Sequence, residues 1–373
     1  MTAITPKPRR DLPVAARLPL LALAMLSLLA ALWGGLGRLG FTFPPPAAGP
    51  IAFHGPLMVS AFLGTLIGLE RAVGIGRRWA FAGPLASALG AVVLLAAPGP
   101  AGPALFVVGG LVLLEVMLLA VRLQPSFAAA TIAVGSACWP VGGALYAAGR
   151  PVASVVAWWI AFLVLTIAGE RLELTRVLAP TRRDHTLFAI AAAVLLAGAV
   201  LSVADADTGV RVLGAGCVAL AVWLGAKDIA RKNVRRKELL RFTAVCLLAG
   251  YVWLAASGLL ALVFGATSAG PQYDAWLHAL FVGFVLSMVF GHAPIIFPAV
   301  LMRDVPFRTR FYAHLALLHA TLLVRVASDL AGFTPGVRWG GLGNVVAVLL
   351  FVVNTVSAVV AGRGRRRAAL LGL

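Results

Sequence analysis

An all-α, polytopic membrane helix bundle of about twelve transmembrane helices is the fold class the sequence predicts, and three observations predict it. Of 373 residues, 61% are hydrophobic and only 12% charged, against roughly 45–50% and about 25% in a soluble domain. The apolar residues fall in runs of about 20, the length needed to cross a bilayer. The basic residues fall between those runs and mostly on one side of them, as the positive-inside rule requires. This excludes an ordinary soluble enzyme and a disordered chain. The net charge of +18 would suit a nucleic-acid binder, but its placement in short interspan clusters assigns it to bilayer orientation, so no nucleic acid is expected.

The spans are bounded by Gly, Pro or charge. The first, 17–37, is too long, and too closely followed by others, for a cleaved signal peptide, and Arg38 closes it. The second, 52–75, is followed by Arg77 and Arg78. Then come 79–98, 102–122 and 126–148, the last closed by Arg150, and the sixth at 151–172. Arg182 and Arg183 precede 184–204; Arg211 lies at the start of 208–228; the basic run from Lys227 to Arg241 leads into 239–266. Spans at 271–298, 308–331 and 337–361 complete the set. Residues 1–16 and 362–373 are left as basic tails around a single bundle at 17–361. Twelve spans put both termini on one side. Lys7, Arg9, Arg10 and Arg17 share it with Arg363, Arg365, Arg366 and Arg367. Only Arg38, Arg150, Arg211, Arg325 and Arg338 of the 31 Lys+Arg fall opposite. Both termini are therefore expected in the cytoplasm of a cell whose inner membrane holds the chain.

Cys138, Cys217 and Cys246 lie inside apolar runs with no paired spacing, and read as small core residues. No P-loop, HExxH, GxSxG or dinucleotide fingerprint occurs; Gly109-Gly110 and Gly142-Gly143 read as close-packing sites between helices. Ala61-Phe62-Leu63 with Glu70-Arg71 recurs 100 residues later as Ala161-Phe162-Leu163 with Glu170-Arg171. Each acidic–basic pair falls at the cytoplasmic end of its span and reads as an interfacial ion pair.

Ionisable residues inside spans are costly and mark candidate sites. Of six histidines, His185 sits at a helix start beside Arg182, Arg183 and Asp184, in an interfacial setting. His54 and His278 enter from the outer side at similar depth, close enough to face one another across the bundle. Two neutral imidazoles can supply opposite axial ligands to a haem iron; each can also be a histidine hydrogen-bonded to a neighbouring helix. His292 and His314 meet at a similar depth nearer the cytoplasm, a second candidate metal site for copper or another haem. His314 and His319 point roughly 140° apart on one helix and do not share a metal. His278 and His292, 14 residues apart, fall on a similar face about 21 Å apart. A stacked haem pair would need a second histidine beside His54 in its span.

Span 2 reads His54-Gly55-Pro56-Leu57-Met58, and span 10 carries His278 and ends in Phe297-Pro298. In these stretches and in span count the chain resembles subunit I of the haem–copper oxidase superfamily. The resemblance implies that His54 and His278 hold a low-spin haem b near the outer face. It departs from that family where Trp276 replaces the high-spin haem histidine. The copper-site histidines are also missing: span 6 offers Trp158 and Trp159, span 7 only His185, and the companion tyrosine has no counterpart. The implied protein has one haem and no binuclear oxygen- or nitric-oxide-reducing centre. The stretch from His278 to His292 is similar to that of the NnrS-type haem membrane proteins, a group linked to nitric oxide stress. By the same resemblance Arg338, before span 12, is a haem propionate partner, with Arg38 as second choice.

Glu115 stands alone in span 4, as a proton-path residue or a hydrogen-bonding partner to a neighbouring helix. Three functions therefore stand: a haem b protein acting with a redox partner protein in electron transfer or nitric oxide response; a proton-coupled transporter without cofactor, using Glu115 and the histidines; and an assembly factor.

Overall fold

The computed structural model describes residues 11–42, 44, 48–303 and 305–370, with side chains as far as residue 361. Lys7, Arg9 and Arg10 lie outside the described residues, as do the side chains of Arg363, Arg365, Arg366 and Arg367. The chain is an all-α bundle with twelve helices long and apolar enough to cross a membrane among the described residues. They are α1 Val14–Arg38, α2 His54–Ile75, α3 Arg78–Ala96, α4 Ala101–Leu123, α5 Phe127–Ala147 and α6 Val152–Leu178. After them come α7 Arg182–Leu201, α8 Ala206–Lys227, α9 Glu238–Phe264, α10 Pro271–Leu301 and α11 Phe311–Leu330. The last, α12, runs Thr334–Leu370. The sequence-expected tail from residue 362 thus continues this helix for most of its length.

Helix boundaries follow local chemistry. Ser126 Oγ accepts from the Ala129 amide at the start of α5. Thr181 and Asp184 form a reciprocal capping box on α7, and Asp205 caps α8. These side chains take up amides that a helix start leaves unpaired. Gly76 closes α2 in the left-handed region at φ 65°, where a side chain is disfavoured. Helix α10 continues beyond the expected end at 298, through Pro294 and Pro298, to Leu301. Its carbonyls find outside donors: Thr243 donates to Gly291 at 3.0 Å and Arg17 to Val300 at 3.1 Å.

The helices alternate in direction. Arg17 reaches the end of α10, Arg71 meets Glu170, and Lys227 meets Asp184 at 2.9 Å, all at one end. At the other end Arg211 bonds the last carbonyls of α9, and Arg325 bonds Asp274 near the start of α10. Large apolar side chains such as Val222, Val252, Val263 and Val353 stand exposed on the outside, which in water would be an aggregation surface and in lipid is a solvated one. With lipid outside, helix association rests on close packing. A Cβ on Gly110 would lie 2.8 Å from Pro140 Cδ, and one on Gly142 would lie 2.9 Å from the Trp159 indole nitrogen. Gly109 is likewise pressed against Ser87. All three cysteines are free and buried. Helices α6 and α10 are the most enclosed spans, 72% and 67% buried, so the cleft beside them is the interior of the bundle.

Candidate functional site

A cavity of about 450 Å³ opens between α1, α2, α6, α10, α11 and α12 at the Arg38 end of the bundle. His54 and His278 are in its wall. Their ring centres are 6.4 Å apart and their planes are parallel within 18°. His54 opens α2, and His278 ends the first two turns of α10. Immediately beyond them the backbone turns π-helical, over Leu57–Leu63 in α2 and Ala279–Leu286 in α10. Such widened turns are rare and concentrate at functional sites. Here they occur in both facing helices at one depth.

Hydrogen bonding fixes which ring nitrogen is free. His54 Nδ1 lies 2.7 Å from the Ala31 carbonyl oxygen, and His278 Nδ1 lies 2.9 Å from that of Asp274. A carbonyl only accepts, so each Nδ1 carries the proton and each Nε2 keeps its lone pair. The Asp274 carboxylate stands 3.2 Å from the same His278 nitrogen, a carboxylate–histidine arrangement that raises the basicity of a ligating imidazole. Arg325 holds that carboxylate through two hydrogen bonds of 2.8 Å each. Asp329, one turn beyond Arg325, is 4% exposed, and its Oδ2 has no hydrogen-bond partner among the described residues. From sequence Arg325 is expected only as an outer-side charge, and Asp274 and Asp329 are not among the expected site residues. The signal was present: an Asp four residues before a histidine, and an Arg and an Asp inside one apolar span.

Gly35 makes room for the His54 ring, since a Cβ there would come 3.0 Å from its Cε1. Gly35→Val is expected to push the imidazole away from His278. Any cofactor content that depends on the pair should fall about tenfold, measured as chromophore per purified protein.

The remaining expected residues disperse. Arg38 lines the cavity and donates to the Ile51 carbonyl at 3.5 Å. Arg338 is outside the wall: it donates to the Gly40 carbonyl at 3.3 Å and its guanidinium lies 4.9 Å from the Phe41 ring centre. The arginines at the cavity are therefore Arg38 and Arg325. Trp276 is 1% exposed and fills core space. His292 lines a second cavity, whereas His314 is enclosed by Phe290, Phe311 and Phe351 and bonded to Asn354. No ring contact joins these two histidines among the described residues, and no cluster of three metal-ligating side chains occurs there. His319 accepts from Trp253 Nε1 at 3.0 Å and faces Ser287 Oγ at 3.4 Å, a core histidine with both nitrogens engaged. His185 is half-buried, its Nδ1 on the Thr181 carbonyl.

Two expectations about acids are corrected. Glu115 points outward, its side chain 55% exposed, with Arg122 4.0 Å away; a helix apolar on every face gave no rotational cue. Arg71 pairs with Glu70 at 4.0 Å as expected and also crosses to Glu170. The expected Glu170–Arg171 pair is replaced: Arg171 leaves its neighbour for Asp228, which lies beyond the end of α8 and is fully buried.

A family model described as a domain of unknown function (DUF8744) matches residues 17–360, nearly the whole bundle. The chain belongs to the DUF8744 family. No curated protein matches it. The matched range of this DUF8744 member contains both cavities and every histidine discussed above.

Proposed function

We propose that this DUF8744 chain is a haem b-binding integral membrane protein of the cell membrane with both termini cytoplasmic, acting in electron transfer or nitric oxide response. One observation carries the reading: two parallel imidazoles 6.4 Å apart, each with Nδ1 fixed on a backbone carbonyl. Two imidazoles that shared one metal at about 2 Å each, with about 1.2 Å from each nitrogen to its ring centre, would stand with ring centres about 6.4 Å apart, so His54 and His278 are the residues that would hold it. The cavity beside them is of ligand size and largely apolar-walled, and Arg38 and Arg325 supply cations suited to carboxylate side groups. A bis-histidine haem supplies a one-electron carrier. The chain would hold it through His54 and His278, orient His278 through Asp274, and keep water out with Val156, Trp159 and Phe281.

Purified protein from haem-replete cells is expected to show a low-spin b-type spectrum with about one haem per chain. A colourless preparation would overturn the reading.

A transport reading is favoured by one observation, the Asp274–Arg325–Asp329 group among the spans, since buried ionisable residues mark proton and ion paths. Asp329 replaces the outward-facing Glu115 as its coupling residue. It requires Asp329→Asn to abolish proton-dependent uptake in vesicles while the protein carries no chromophore.

A further inference from the structure

The cleft that holds His54 and His278 contains a second cavity towards the Arg71 end, about 250 Å³ in volume. It lies between α1, α2, α6, α10 and α12 and is walled by Leu, Ile, Val, Met and Phe. Its ionisable groups are Glu70 on α2, Glu170 on α6 and His292 on α10. Helices α2 and α10 thus present Glu70 and His292 to this cavity, as they present His54 and His278 to the first.

The polar chemistry of this cavity is one-sided. His292 Nδ1 sits 2.7 Å from the Met288 carbonyl oxygen, so it donates and Nε2 is left as an acceptor. That Nε2 is buried and has no partner among the described residues. The carboxylates of Glu70 and Glu170 also only accept. Arg71, which pairs with both through one terminal nitrogen, keeps a buried Nε–H without a partner among the described residues, but it stands outside the cavity wall. The Thr166 hydroxyl, which can serve either way, is a further buried group without a partner. Unsatisfied buried acceptors are costly, and a ligand that donates to them removes that cost.

We propose that this cavity binds a membrane-dissolved molecule with an apolar body and a hydroxyl head, whose O–H donates to His292 Nε2. The acceptor set predicts discrimination between oxidation states of one probe. A decyl hydroquinone carries two O–H donors, whereas the corresponding quinone offers only carbonyl acceptors to a wall of acceptors.

The test is calorimetric titration of the full chain in lipid nanodiscs, with empty nanodiscs subtracted, in anaerobic buffer. The probes are decyl hydroquinone, decyl quinone and 1-decanol. Saturable binding of the hydroquinone at one site per chain is expected, with the quinone at least tenfold weaker. Decanol binding alongside it would show that one hydroxyl suffices; hydroquinone alone would show that a carboxylate takes the second. His292→Leu should weaken hydroquinone binding about fivefold to tenfold, the loss of one hydrogen bond. Met25→Trp, which fills the cavity from α1 and leaves His292 intact, should abolish it. No saturable binding, equal binding of quinone and hydroquinone, or indifference to both variants overturns the proposal. None of these readouts depends on haem, so the first site and the second fail separately.

Discussion

His278→Ala and His54→Ala should each eliminate the low-spin b-type spectrum, with haem content of the purified protein below about a tenth of wild type. Loss of an oriented partner residue around a metal ligand already costs about 10–100-fold in affinity, and these substitutions remove the ligand itself. The ring separation of 6.4 Å leaves no alternative imidazole in reach. His314 is enclosed by phenylalanines and His319 has both nitrogens engaged. His185→Ala and His314→Ala are therefore expected to keep the spectrum. Asp274→Asn should keep haem with weaker affinity and raise its midpoint potential. It removes a negative charge 3.2 Å from the His278 ring, which favours the reduced, less positive iron and lowers the basicity of the ligand. Retention of a full spectrum in both alanine variants would place the ligands elsewhere and sink the assignment.

The span count and the common level of His54 and His278 were legible because a bilayer imposes a one-dimensional constraint. Apolar length and charge placement alone locate a residue along the membrane normal. By that depth reckoning His54 and His278 belong at one level, and the rings do meet there. Rotation about each helix axis was not legible, since α4 and α12 are apolar on nearly every face. Glu115 and Arg338 fell on the wrong side for that reason, Glu115 outward and Arg338 against Phe41. Cross-helix pairs depend on rotation in two helices at once, so Arg325–Asp274 had no linear signature. The π-helical segments, Leu57–Leu63 in α2 and Ala279–Leu286 in α10, share no sequence motif that announces them. Asp228 was hidden differently. It directly follows Lys227, at the start of a strongly basic stretch, where a carboxylate looks like one more solvated charge.

That carboxylate sets the second large effect. Asp228→Ala should lower stability by about 3–5 kcal/mol, because removing one partner of a buried ion pair strands the other in the interior. Arg171 and Asp228 are 3% and 1% exposed. The guanidinium bonds both carboxylate oxygens, at 2.7 and 2.8 Å. Tyr251 donates to the same group at 2.8 Å, and so does the Ala230 amide at 2.6 Å. Four donors converge on two oxygens, and they come from α6, α9 and the turn after α8. The carboxylate is therefore the clamp that fixes α6, and α6 lines both cavities. Tyr251→Phe removes a single charge-assisted hydrogen bond and should cost about 1.5–3 kcal/mol. Arg171→Met combined with Asp228→Leu should recover most of the loss, because no unpaired charge remains buried. Thermal unfolding in detergent, followed by monodisperse fraction, should place Asp228→Ala lowest, with Tyr251→Phe and the double variant both above it. A proton-relay role predicts a different order: Asp228→Ala folds as well as wild type and loses only activity. A clamp makes the double variant more stable than either single charge deletion, and that sign distinguishes the two roles.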